Sequence, residues 1–357
     1  MSHYKTYNRI IGIPLVIFAI IITSIYIYMD PLVGDMTRLG GFLENDYGWN
    51  RKHEVFSEPL YKYIKNLDEY DKYYDVVILD DSFSFGVPER TWTNYFSMET
   101  GLSILGLHVQ NTSIDELINS EQYKKNPPRL LIYQSIERAL LARNHNCSGI
   151  HKTARKNKID KTWVFSRRNI VLKSITRKQM ATKSGFVGMG PAFSHFKTSF
   201  SRIMHRHQDG THPIVRRTAL STSGLFTNRD NTRLLYYRND EYKRDWTADN
   251  IKTIACSLAD KSAIIEASGK TQFFAMIFPD KLSVYESYTK DAHLNNLSVI
   301  KRISSPFYTT VRLDKVFSAA INKGTADVYL PNDTHCSDIG YKLAADALIS
   351  KLISNTN

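Results

Sequence analysis

Cysteine is scarce: Cys147, Cys256 and Cys336 are the three in a chain of 357 residues. That excludes a small disulfide-scaffolded domain. No C-x-x-C or H-E-x-x-H spacing suggests a metal site, and no cofactor motif stands out. An oxidising compartment would permit one disulfide and leave one thiol over, with the pairing open. Acid is short too: 35 Asp and Glu stand against 47 Lys and Arg, a net charge of +12. A surface of that sign attracts polyanions, whether nucleic acid, anionic lipid headgroups or acidic polysaccharide. Internal repeats and low-complexity tracts are absent. What is present suffices for a folded core, with 42% hydrophobic and 12% aromatic residues. The length allows one large α/β domain with an insertion, or two small domains.

Long apolar runs are absent after the N-terminus, which holds one. Residues 10–29, from "IIGIPLVIF" onward, carry no charge, enough to cross ~30 Å of hydrocarbon at ~1.5 Å per residue. Lys5 and Arg9 precede the run; Asp30 and Asp35 follow it. The positive-inside rule then leaves residues 1–9 in the cytoplasm and exports the rest. A cleaved signal peptide is the rival reading, but the run exceeds the usual ~7–15-residue apolar region and no small-x-small cleavage site follows. The expectation is a single-pass anchor over 10–29 with the bulk of the chain in the periplasm of a Gram-negative source. Export argues against a nucleic-acid partner.

A membrane-proximal segment over 30–70 follows, in which "SEPLYKYIKNLDEYDKYY" could form a short helix. Five short apolar runs then read as buried parallel strands: "DVVILD" (75–80), "SILGLHVQ" (103–110), "RLLIYQS" (129–135), "QFFAMIFP" (272–279) and "ADVYL" (326–330). Helical patterns fall between them, at 113–124, at 249–268 and over 338–353. The last places Ile339, Leu343, Ala344, Leu348 and Leu352 on one side. A basic, Ser-rich insertion occupies about 141–248, with a glycine-containing loop in "KSGFVGMGPAF"; it is a lid or binding surface, or a solvated elaboration. The fold class is α/β: a central parallel sheet of about five strands over 71–357.

Chemistry gathers in two places. "ILDDSFSFG" puts Asp81, Ser82 and Ser84 just past the first strand, and "PNDTHCSDIG" puts Asp333 and His335 before the last helix. Serine is a poor nucleophile at neutral pH until an imidazole takes its proton and a carboxylate fixes the imidazole tautomer. Parallel strands bring such segments to one rim, the edge where open α/β sheets bind ligands. Asp81 reads as a turn or N-cap residue.

These blocks resemble those of the SGNH/GDSL hydrolases, and more closely the SGNH-like acetyltransferases of the alginate O-acetylation type. Asp333-Thr334-His335, Glu137-Arg138 in "YQSIERAL" and Pro279-Asp280-Lys281 in "FPDKLSVY" match that branch. Four features depart from it. Asp80 stands where glycine is usual, Cys336 where an aromatic is frequent, and the Asp-Thr-His block follows the serine instead of preceding it. The oxyanion blocks of the esterases are not visible. The resemblance implies a three-layer fold with Ser82 as acylated nucleophile, His335 as general base and acid, and Asp333 orienting it. Asn111, Ser113, Gln134 and Ser135 follow the second and third strands on the same rim, which makes them candidates for oxyanion donors beside the Ser82 N–H; Arg138 and Lys281 read first as structural partners of carboxylates and second as lining the site. The implied activity is O-acetyl transfer to hydroxyls of an exported polysaccharide, an anionic one among the options, with no cofactor or metal and an integral-membrane O-acyltransferase as donor. A carbohydrate esterase or deacetylase, and a non-catalytic glycan-binding scaffold, are the alternatives. A related group handles D-alanine on teichoic acids, so an aminoacyl group stays open.

Overall fold

The computed structural model describes residues 2–28, 32–153, 159, 162–183, 193, 196, 197, 200 and 213–355. Most of the glycine-containing stretch assigned above to a loop lies outside them. Helix α1, Ser2–Tyr28, is 27 residues long. Its window Tyr7–Ser24 is long and apolar enough to cross a membrane. Ile10, Ile13, Leu15 and Phe18 on it are exposed, which a core helix would not tolerate.

Six strands form the central sheet: β1 Lys62–Ile64, β2 Val76–Asp80, β3 Ile104–His108, β4 Leu130–Ile136, β5 Gln272–Phe278 and β6 Thr309–Val311. Their order is β6-β5-β4-β2-β3-β1, and every neighbouring pair is parallel. The helices used below are α2 Ser82–Phe85, α3 Trp92–Thr100, α4 Ala248–Glu266, α5 Leu313–Asn322 and α6 Asp338–Ser354. Strands β2, β4 and β5 are buried at every position, because helices cover both sheet faces. On one face Val77, Leu79, Leu105, Leu131 and Phe273 pack with Ile251, Ile254 and Leu258 of α4. On the other, Phe278 meets Phe317 of α5 and Tyr341 of α6 at ring-centroid distances of 6.2 and 6.4 Å. Tyr341 and Ala345 join Ala344, Leu348 and Leu352 as the buried stripe of α6, while Ile339 and Leu343 are only half-buried.

Three expectations need correction. The run 326–330 is not a strand: Asp327 adopts φ 54°, a left-handed conformation that breaks extension. Only an isolated bridge joins Tyr329 to Cys336 there. The sheet ends instead at β6 and β1, the latter inside the stretch read as a short helix. The boundary at residue 70 is not where the chain divides. One compact unit comprises 1–52, 175–238 and 330–334; the other comprises 53–174, 239–329 and 335–357. The sheet unit thus takes 53–70 and both ends of the insertion. The middle of the insertion belongs to the first unit, where Val215–Ala219 pairs antiparallel with Arg233–Tyr237.

Within the sheet unit Cys147 and Cys256 form a disulfide, and Cys336 is a buried free thiol. Beside the disulfide, Asp260 accepts the N–H groups of Ser148, Gly149 and His151 and the Ser148 hydroxyl. The loop after β4 is thereby fastened to α4.

Candidate active site

Strand β2 ends at Asp80, and the chain turns at once into α2, whose first residue is Ser82. The turn is held by Asp81, the N-cap. Its Oδ1 accepts the Phe83 N–H (3.2 Å) and the Gln134 Nε2 (2.9 Å); its Oδ2 accepts the Ile136 N–H (2.9 Å) and Arg143 Nη1 (2.6 Å). Burial pushes the Asp81 carboxyl up, but the Arg143 charge and these bonds outweigh it and hold it below the usual carboxylate range. The turn therefore carries a fixed negative charge, matched by one guanidinium.

Ser82, half-buried, faces His335: Oγ and Nε2 are 2.9 Å apart, bridging 253 residues of chain. The imidazole packs on Phe83 (centroids 4.7 Å), and Phe83 packs on Phe278 at the end of β5 (4.9 Å). The histidine is thus fixed by aromatic packing on the strand ends. Among the described residues nothing accepts the Ser82 backbone N–H. Gly86 closes the turn tightly on Ser82, its N–H donating to the Ser82 carbonyl (2.8 Å), and a Cβ there would lie 2.6 Å from that oxygen.

Asp333 belongs to the first unit, two residues before His335 in the chain. Its Oδ2 accepts the Asp35 N–H (3.1 Å), while Asp35 accepts the Thr334 N–H (2.9 Å) and hydroxyl (2.5 Å). Gly34 lets these segments close up, as a Cβ there would collide with the Asn332 carbonyl oxygen at 2.0 Å. The brace from Asp35 has no sequence signal; it joins residues 298 apart.

The other candidates fare differently. Ser113 is a helix N-cap, sharing a capping box with Glu116. Gln134 is buried and committed to Asp81 and to the Ser84 hydroxyl. Ser135 donates to the Ile136 carbonyl and accepts from Arg143. Asn111 is exposed on the turn after β3; its N–H donates to the His108 carbonyl. Arg138 pairs with Asp280 (2.7 Å) and Asp240 (3.3 Å) in a buried charge cluster, and Lys281 is buried in the short helix that follows Asp280. Ser113, Gln134 and Ser135 thus have structural duties, and Arg138 is part of an ion network. Arg143 was missed: it is a lone charge in a polar stretch, with no motif to flag it.

Asp80, in the place of the usual glycine, is fully buried. Gly106 on β3 makes room for it, since a Cβ at 106 would lie 3.3 Å from Asp80 Oδ2. Neither carboxyl oxygen accepts a hydrogen bond from a described side chain or backbone donor. Burial, and then the Asp81 charge, push this carboxyl well above its ordinary value. Because the folded-state pKa exceeds the unfolded one, the folded protein holds a proton that the unfolded chain releases, and stability falls as pH rises through that interval. Asp80→Asn keeps the shape and removes the titration. Urea midpoints across pH should show the variant more stable than wild type near neutrality, by about 1–3 kcal/mol. The gain should vanish near pH 4, the ordinary carboxylate range. A gain independent of pH would contradict a protonated Asp80.

Comparison of the chain with protein-family models, curated proteins and solved structures finds no match.

Proposed function

We propose that this protein is a membrane-anchored serine O-acyltransferase. It moves an acetyl group, through a Ser82 acyl-enzyme, onto hydroxyls of an exported cell-surface polysaccharide. The observation that carries the reading is the 2.9 Å contact between Ser82 Oγ and His335 Nε2, at the carboxyl end of β2. His335 takes the Ser82 proton as Oγ attacks the donor carbonyl, and returns it to the leaving group. The acceptor hydroxyl then gives its proton to His335 and attacks the ester. Asp333, close by along the chain, is assigned the orientation of His335, and the free Ser82 N–H is one oxyanion donor.

Several features support the placement. The apolar helix α1 suits a bacterial inner-membrane anchor next to an integral-membrane acyl donor. The Cys147–Cys256 disulfide suits the oxidising periplasm. The net charge of +12 suits an anionic glycan. The four sequence blocks that resemble SGNH-like acetyltransferases favour acetyl transfer.

The test is intact-mass analysis of the full-length protein in detergent after mixing with an activated acetyl ester. The expected result is one acetyl adduct, located on Ser82 and discharged faster by an acidic oligosaccharide than by water. Equal discharge with and without sugar would make the protein an esterase. Absence of an adduct with both the activated ester and membranes bearing a donor acyltransferase would support the scaffold reading.

A further inference from the structure

The acyl-transfer reading needs a second donor for the oxyanion, and the side chains that sequence reasoning offered are mostly spent. Ser113 caps a helix, Gln134 holds Asp81, and Ser135 is engaged on both sides. The backbone N–H groups after β3 are also spent: Val109 donates to the Asp80 carbonyl, Gln110 to His108 Nδ1, and Asn111 and Thr112 to the His108 carbonyl.

Among the described residues on this rim, the exposed Asn111 amide and the Arg143 guanidinium keep capacity, and Arg143 alone is tied to the turn that carries Ser82. Arg143 uses only Nη1, which reaches Asp81 Oδ2 (2.6 Å) and Ser135 Oγ (2.8 Å). Its Nε and Nη2 hydrogen-bond to no described residue, and the side chain is 18% exposed. The anchor Asp81 directly precedes the nucleophile in the chain, so the guanidinium is tied to the same turn that presents Ser82. His335 meets Ser82 beside Phe83 and Phe278. A guanidinium is charged at every working pH and presents its donors in a rigid planar fork.

We propose that Arg143 is a catalytic residue of this site, the second donor to the acyl oxyanion; this rests on the acyl-transfer reading above. Ser82 Oγ bonds to the carbonyl carbon, and its proton passes to His335 Nε2. The carbonyl π pair moves onto oxygen, where the Ser82 N–H and a free Arg143 N–H receive it. On collapse the pair re-forms the C=O bond, and the leaving oxygen departs with the His335 proton. Nη1 meanwhile stays on Asp81, so the donor is held in place before reaction. Charge-assisted donors are about twice as strong as neutral ones, which suits a site without the oxyanion blocks of the esterases.

The test measures Ser82 acylation by p-nitrophenyl acetate, and labelling by a fluorophosphonate, on full-length protein in detergent. Wild type, Arg143→Gln, Arg143→Lys and Asn111→Ala are compared. Arg143→Gln should lower kcat by about 10²–10³ with KM nearly unchanged. Arg143→Lys keeps a cation for Asp81 but lacks the fork; it should fold as wild type and recover part of the rate. That variant keeps the test decisive if Arg143→Gln unfolds. Asn111→Ala tests the other candidate donor and should lose far less kcat than Arg143→Gln.

Wild-type labelling with undiminished kcat in a folded Arg143→Gln or Arg143→Lys would overturn the proposal and leave the acyl-transfer reading standing. A loss confined to KM would also overturn it, reducing Arg143 to a brace for Asp81. A kcat loss in Asn111→Ala alone would move the role to Asn111. Wild type that neither labels nor acylates would sink the acyl-transfer reading itself, and this proposal with it.

Discussion

Ser82→Ala should abolish acyl transfer, and His335→Ala should cost nearly as much. Nucleophile and base act as one unit, so either loss removes the same step. In a serine–histidine site of this kind each single loss costs about 10⁶ in kcat, and the double loss hardly more. The 2.9 Å separation makes that coupling specific here. Asp333→Ala should cost about 10⁴, since a carboxylate that only orients the imidazole is less costly to lose. The check is single-turnover acylation of all three variants and of the Ser82/His335 double variant, with circular dichroism to confirm folding. Additive losses, or any variant acylating at the wild-type rate, would dismiss the assignment. Ser82→Ala removes no charge, so its thermal midpoint should move little.

Asp280→Ala should do the reverse, unfolding the sheet unit without touching the nucleophile. Asp280 is fully buried after β5, between the Arg138 guanidinium at 2.7 Å and the Lys243 ammonium. Lys243 also reaches Glu137 at 3.4 Å. Glu137 in turn accepts the Val299 N–H (2.6 Å) and the Asp280 N–H (3.1 Å), which ties four chain segments together. Removing Asp280 takes the shared carboxylate from both cations, leaving Arg138 with Asp240 and Lys243 with Glu137, and breaking buried pairs of this kind costs up to about 3–5 kcal/mol. Urea denaturation followed by fluorescence should show that loss. Asp240, whose carboxyl burial and then Asp280 raise to about 7, should titrate lower in the variant. Wild-type stability should fall as pH rises toward that value, and the variant should lose part of this slope. An unchanged midpoint would mean that water reaches the cluster.

The sheet centre was legible because "DVVILD", "RLLIYQS" and "QFFAMIFP" are continuous apolar runs, the pattern of strands covered on both faces. The edges were not. Lys62–Ile64 and Thr309–Val311 are three residues each and partly exposed, too short for any period to register. The apolar run "ADVYL" misled because one left-handed residue, Asp327, overrides its β propensity. Ser82 and His335 could be found because each sits where a strand or loop delivers it to the rim. Arg143 and Asp35 could not, since their partners are set by tertiary packing. Asp240 and Lys243 lay within an insertion whose charges read as solvated; they are buried because Arg138, Glu137 and Asp280 meet them there.

The Cys147–Cys256 bond closes a ring over a sequence separation of 109 residues. Residues 175–238, the larger part of the first unit, lie between the two cysteines in sequence. On the proposed export, Cys147 crosses the membrane ahead of Cys256, with the whole excursion between them. Strand β4 likewise precedes its neighbour β5, which lies beyond Cys256. On that reading, ring closure and the β4–β5 pairing both depend on chain that follows the excursion.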